Sequence, residues 1–156
     1  MIESGNRVPD TRLLDRDGKR YALYDLLDRP TLVIVFKTTC STCRLALPVY
    51  DRWRRYEPAV KVLAVSQDTP ALTDGFYEDL GVGFETLYDE PPYAMSNAFG
   101  VIAVPSLALI EHGQVTWSGH GWVRAEAEEL ETLLATHAGR RPALVGADDL
   151  PVFKPG

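Results

Sequence analysis

Cysteine is scarce in this chain: two in 156 residues, with only three histidines. Two cysteines cannot make the disulfide framework of a stapled secreted domain. A structural zinc site takes four ligands. Beyond the cysteines only His112, His120, His137 and the acids remain, and there is neither a second Cys-x-x-Cys nor a His-x₃₋₅-His. Basic charge is also short. Sixteen Lys and Arg stand against 22 Asp and Glu, a net charge of −6, which argues against a nucleic-acid or anionic-membrane surface. The clusters Arg52, Arg54, Arg55 and Arg140, Arg141 read as solvated faces. No run approaches the roughly 18 apolar residues of a membrane span. The first six residues are polar and lack the apolar core of a signal peptide. The chain as given therefore reads as cytoplasmic, or as extracytoplasmic if a leader has been removed. Repeats and low-complexity tracts are absent.

What is present suits one globular domain with a real core: 46% apolar and 24% charged residues. Asp17-Gly18 between short strand-like runs at 11–15 and 20–22 predicts a hairpin. Residues 23–27 predict a short helix, stopped by Pro30. The β-branched run 31–36 predicts a buried central strand. Apolar residues Leu45, Val49, Trp53 and Tyr56 predict a helix over 43–57, kinked by Pro48. A buried strand over 60–66 follows, then a helix over 71–80 ended by Gly81. A short strand over 84–88 and a short helix over 92–99 come next. A second hairpin spans 106–111 and 114–118 about His112-Gly113. A long helix covers 124–137, with Leu130, Leu133 and Leu134 on one side. The order implies α/β architecture with helices on both faces of a mixed sheet. Residues 1–138 read as the domain and 139–156 as a Pro- and Gly-rich surface tail.

The two cysteines fall at Cys40 and Cys43, between the apolar strand and the helix. A strand thus delivers Cys40 to a helix N-terminus, where free N–H groups and the helix dipole favour an anionic sulfur. Such settings lower a cysteine pKa from about 8.5 to roughly 3.5–7.5. Cys43, one turn on, is close enough to close a disulfide. A loop of two residues between cysteines stabilises little by closure, so the pair is chemical rather than structural. No cofactor beyond the Cys40–Cys43 redox disulfide is called for.

These residues resemble the thioredoxin-fold redoxins, the TlpA/ResA-like thiol–disulfide oxidoreductases of the AhpC/TSA–redoxin superfamily. Four marks carry the resemblance: the strand before Cys-x-x-Cys, Pro48 five residues after Cys43, Val104-Pro105 before a strand-hairpin-helix ending, and a helix-strand unit before that proline. The resemblance spans about residues 8–138 by element count. It implies a thioredoxin-like three-layer sandwich with an N-terminal hairpin and an extra helix-strand insert. It also implies a cis bond at Val104-Pro105, whose backbone is presented to a substrate strand, with Val104 tuning access. Departures are visible. Thr39 stands where the family usually has Trp, Ser41-Thr42 where Gly-Pro or Pro-Pro is usual, and Ile34 where thioredoxin has a buried aspartate.

The expected chemistry is attack by the Cys40 thiolate on a disulfide, followed by release through Cys43. The partners are then a disulfide-containing protein or small thiol substrate and an upstream reductant or oxidant. With no aspartate at Ile34, Asp68 is the first candidate to accept the Cys43 proton and Glu85 the second; a helix cap is the alternative role for Asp68. Lys37 either favours the thiolate or reaches solvent. Ser41 and Thr42 offer hydroxyls to the sulfur or cap the helix. Gly119-His120-Gly121-Trp122 reads as a turn, or as a close backbone approach beside the site. Two other functions stay open. A peroxiredoxin-like peroxidase shares the fold, but Pro-x-x-x-Thr-x-x-Cys fails. Counting back from Cys43 gives Phe36 and Cys40, and from Cys40 gives Val33 and Lys37. A non-catalytic binding or metal-delivery module of related fold would use a wider cysteine spacing. Oligomeric state is not legible.

Overall fold

The computed structural model describes residues 1–143 and 149–156. Strands β1 (Arg12–Leu14) and β2 (Arg20–Ala22) form the first hairpin. Its turn is closed by the Asp15 carboxylate, which accepts from the Asp17 and Lys19 N–H groups at 2.9 Å each. A 3₁₀ turn, Leu23–Leu26, leads on to β3 (Thr31–Phe36). All six β3 residues are buried, because the strand is apolar on both faces and must be covered on both. Leu32, Ile34 and Phe36 face one core; Val33 and Val35 face the other.

Helix α1 (Ser41–Asp51) buries Thr42, Cys43, Ala46, Leu47 and Tyr50, a stripe at helical spacing. The single helix expected over 43–57 is two pieces. Beyond Asp51 the chain tightens into a 3₁₀ turn, Arg52–Tyr56. Trp53 and Tyr56, three apart, stay on the buried side there because the 3₁₀ repeat is three. Glu57 is extended, as a residue before proline prefers.

Strand β4 (Lys61–Ser66), helix α2 (Pro70–Leu80) and strand β5 (Glu85–Tyr88) follow. Thr69 caps α2 by accepting from the Leu72 N–H, and Gly81 ends it at φ +69°. Helix α3 (Ala94–Ala98) is shorter than the 92–99 span expected, because Tyr93 is left-handed at φ 62°. Asp89, only 3% exposed, holds α3 by accepting from the N–H groups of Met95 and Ser96 and from the Ser96 hydroxyl. Strands β6 (Ser106–Glu111) and β7 (Gln114–His120) make the second hairpin. The last elements are β8 (Trp122–Val123), α4 (Arg124–His137) and β9 (Phe153–Lys154). On α4, Leu130 and Leu134 are buried but Leu133 is 37% exposed. Glu131 takes a buried place instead, accepting from the Tyr56 hydroxyl at 2.8 Å.

The main sheet runs β2-β1-β5-β4-β3-β6-β7. Strands β3, β4 and β5 are parallel; β1 and β6 join them antiparallel. One face packs on α1, α2 and α4, the other on α3, Leu23 and Val8. This is the expected mixed α/β sandwich, with the carboxyl end of β3 at its centre. Of the 139–156 tail, residues 144–148 lie outside the described part. Residues 149–156 are mostly exposed, yet β9 pairs antiparallel with β8, Trp122 opposite Lys154 and Val123 opposite Phe153. Among the described residues no helix is long and apolar enough to cross a membrane.

Candidate active site

Strand β3 ends at Phe36, and a three-residue loop carries the chain to Cys40, the N-cap of α1. Cys40 is extended (φ −89°, ψ 116°), and its Sγ accepts from the Cys43 N–H at 3.0 Å. A sulfur thus fills the place that an oxygen of Ser or Asp fills in ordinary caps. Cys40 is half-buried and Cys43 fully buried; both are free thiols. The Cys40 thiol donates to the Val104 carbonyl at 3.3 Å, and the Val104–Pro105 peptide is cis.

The two thiols are electrostatically unequal. The Cys40 pKa is lowered to about 6, first by the hydrogen bond from the Cys43 thiol. Against the opposing effect of burial, the N–H groups of Cys43 and Thr42 and the positive charge of Lys154 add to the lowering. Cys43 moves the other way. Burial pushes its pKa far up, and giving its proton to the Cys40 sulfur adds to this. One sulfur is therefore reachable and disposed to ionise, the other enclosed and disposed to keep its proton.

The remaining sequence candidates are distributed around this pair. Asp68 follows β4, and its Oδ2 accepts from the Thr38 N–H at 2.7 Å and from the Thr38 hydroxyl at 2.9 Å. It anchors the loop before Cys40, makes no hydrogen bond with Cys43, and does not cap α2, whose cap is Thr69. Glu85 is exposed at the amino end of β5, the opposite end of the parallel strands from the thiols. Lys37 lies over the Tyr93 ring, 5.7 Å from its centroid. Thr39 and Ser41 are exposed. Thr42 is buried, and its hydroxyl goes not to sulfur but to the Pro155 carbonyl at 2.6 Å. Ile34 sits in the core, pairing Ala64 and Leu107. Gly121 is left-handed at φ +68° and donates to the Pro105 carbonyl at 2.8 Å. A Cβ on it would lie 3.1 Å from both the Gly156 nitrogen and the Lys154 carbonyl oxygen. The glycine serves as turn and as close approach together.

Lys154, Pro155 and Gly156 lie beside the site, and the sequence reading does not place them there. The only local signal was a short Val-Phe-Lys run inside an otherwise loop-like tail. Beside Val104 a groove of about 380 Å³ is lined by Lys37, Gln67, Tyr93, Ile102 and Gly156. Ile102 is 84% exposed there. Among the described residues no group of three or more His, Cys, Asp or Glu is placed to hold a metal ion.

A central parallel strand, a dithiol at the following helix N-cap and a cis-proline beside the outer sulfur define a thioredoxin-fold protein of the redoxin type. The chain belongs to the AhpC/TSA family, whose model matches residues 4–118. It is 28% identical over 115 residues to the thiol-disulfide oxidoreductase ResA of Geobacillus thermodenitrificans, covering 70% of this chain. The chain spans 64% of that relative's length. Among solved structures it is similar to a putative thiol:disulfide interchange protein DsbE from Chlorobium tepidum (TM-score 0.76, 23% identity, 89% of this chain and 100% of the other). It is also similar to dsbF of MTB (TM-score 0.70, 24% identity, 83% and 98%). These two likenesses bear on the fold.

Proposed function

We propose that the protein is a thiol–disulfide oxidoreductase in which Cys40 attacks and Cys43 resolves. The observation that carries this is the inequality of the two thiols. The Cys40 thiolate attacks one sulfur of a substrate disulfide, and the other sulfur leaves as a thiolate that takes a proton. A mixed disulfide joins Cys40 to the substrate. Once Cys40 is no longer anionic, the proton of Cys43 is no longer held between two sulfurs, and Cys43 ionises more easily. It attacks the Cys40 sulfur and expels the second substrate thiolate. Two electrons have passed to the substrate, and the Cys40–Cys43 disulfide remains as the redox-active group. A dithiol reductant restores it; run backwards, the same steps oxidise dithiols.

Reduction of insulin disulfides driven by dithiothreitol, compared with the Cys40→Ser variant, tests the reading. Turnover of both insulin and bis(2-hydroxyethyl) disulfide no faster than that variant overturns it, as does fast stoichiometric consumption of peroxide by the reduced protein. Direction follows from the potential of the pair against glutathione: near −270 mV suits a reductant, near −120 mV an oxidant.

Asp68 acts in this scheme as a positioning residue, through Thr38. Asp68→Asn is expected to lower kcat/KM on the order of fivefold, the scale of one weakened charge-assisted hydrogen bond. The pH profile of the rate should keep its shape. A displaced alkaline limb would instead make Asp68 the acceptor of the Cys43 proton.

A further inference from the structure

The tail reaches the active site through a graded set of contacts. At its base, the Trp122 indole N–H donates to the Pro151 carbonyl at 2.7 Å, and the Arg124 N–H donates to the Val152 carbonyl at 3.0 Å. Strand β9 then runs against β8. At its tip, the Pro155 carbonyl accepts from the Thr42 hydroxyl on the first turn of α1. Gly156 lies against the Val104 loop so closely that a Cβ on it would fall 2.5 Å from the Val104 carbonyl oxygen. That oxygen is the one that receives the Cys40 thiol.

A protein substrate must bring a sulfur to Cys40 with its chain continuing on both sides. An extended chain advances about 3.3 Å per residue. The residues flanking the substrate cysteine therefore have to cross the immediate neighbours of Cys40, and the Val104 side is where Gly156 lies. The Cys40 sulfur itself stays partly exposed, so a small disulfide carries no chain that meets the obstacle.

We propose that residues 151–156 form a strap that fills the Val104 side of the active site, so that small disulfides react directly and protein disulfides react only when the tip lifts. This rests on the dithiol reading above and concerns the substrate class of that same site. The strap is suited to lifting. Its Val152 and Phe153 side chains are 68% and 62% exposed, so no core holds them. Its tip is tied to α1 by the Thr42 hydrogen bond alone among the described contacts. Thr42 is itself buried, so the bond forms at a fixed point rather than to a mobile side chain. The strap differs from a structural brace in one testable respect: it discriminates between substrates by size.

The test compares the full chain with a variant ending at Lys154 and with Gly156→Leu. Insulin and bis(2-hydroxyethyl) disulfide serve as large and small substrates. The shortened variant keeps β9 and the Lys154 charge and loses Pro155 and Gly156. Gly156→Leu keeps the length and forces the tip off Val104. Both are expected to raise kcat/KM for insulin about fivefold, the factor corresponding to one lost hydrogen bond holding the closed form. The rate with the small disulfide should stay within about twofold, as for surface changes generally. An unchanged ratio of the two rates overturns the strap, and so does a parallel fall in both together with the melting temperature. A full chain that turns over neither substrate overturns the dithiol reading itself, because the small disulfide tests Cys40 and Cys43 without the strap.

Discussion

Cys43→Ser is expected to accumulate a mixed disulfide between Cys40 and the substrate, visible as a mass adduct that reductant removes. Cys40→Ser should give no adduct and lose on the order of 10³-fold or more in turnover, as loss of a sole nucleophile does. The asymmetry follows from the site. Cys43 has no exposed surface, and burial holds its proton on, so it cannot replace Cys40 against an external disulfide. In Cys43→Ser the first attack proceeds and the second step has no sulfur. An adduct carried by Cys43 in the Cys40→Ser protein would reverse the roles assigned here.

The reduced protein should be alkylated at Cys40 with a midpoint near pH 6, the value to which its pKa is lowered. Iodoacetamide with mass detection measures it. At pH 6 about half of Cys40 is thiolate, against roughly 0.3% of an ordinary cysteine with pKa 8.5. A low-pKa thiolate is a weaker nucleophile, with a Brønsted slope of about 0.4–0.5, which leaves Cys40 about tenfold faster than an unstructured cysteine. Cys43 should stay unlabelled. Cys43→Ala should move the midpoint up the most, because the Cys43 thiol is the largest cause of the lowering; Lys154→Met should move it less. The same inequality sets a stability profile. A thiol with a folded-state pKa below its unfolded value binds its proton less tightly when folded. Its stabilisation is full above the unfolded pKa and is lost as pH falls through about 6. The reduced form should therefore gain stability between pH 6 and about 8.5, the ordinary thiol value. Above that, Cys43 opposes it, since the unfolded chain sheds a proton that the buried thiol keeps. A melting temperature flat across that window would show that Cys40 is not perturbed.

The fold was legible wherever one short stretch carries its own reason. The β-branched run of β3, the glycine stop of α2 and the amphipathic pattern of α4 each announce an element locally. The Cys-x-x-Cys pair was legible for the same reason: spacing and setting lie within a dozen residues. What escaped depends on distance along the chain. Strands β8 and β9 have two residues each, too few for any periodicity, and they pair across some thirty positions. Lys37 is a neighbour in sequence, yet the cation that acts on Cys40 is Lys154, brought in by β9. Asp68 stands out in the sequence as the acid just beyond a strand. That β4 lies beside β3 places it near the loop before Cys40, but only the geometry assigns its two bonds to Thr38.

The complete burial of Cys43 has a kinetic corollary for the proposed cycle. Electrons enter and leave through a single atom, the Cys40 sulfur. Donor and acceptor must use that atom in turn, so no ternary complex of the two can be productive. Steady-state turnover then obeys a ping-pong law, and a large excess of either partner competes with the other for the same port. A dithiol whose two sulfurs were both open would face no such rule.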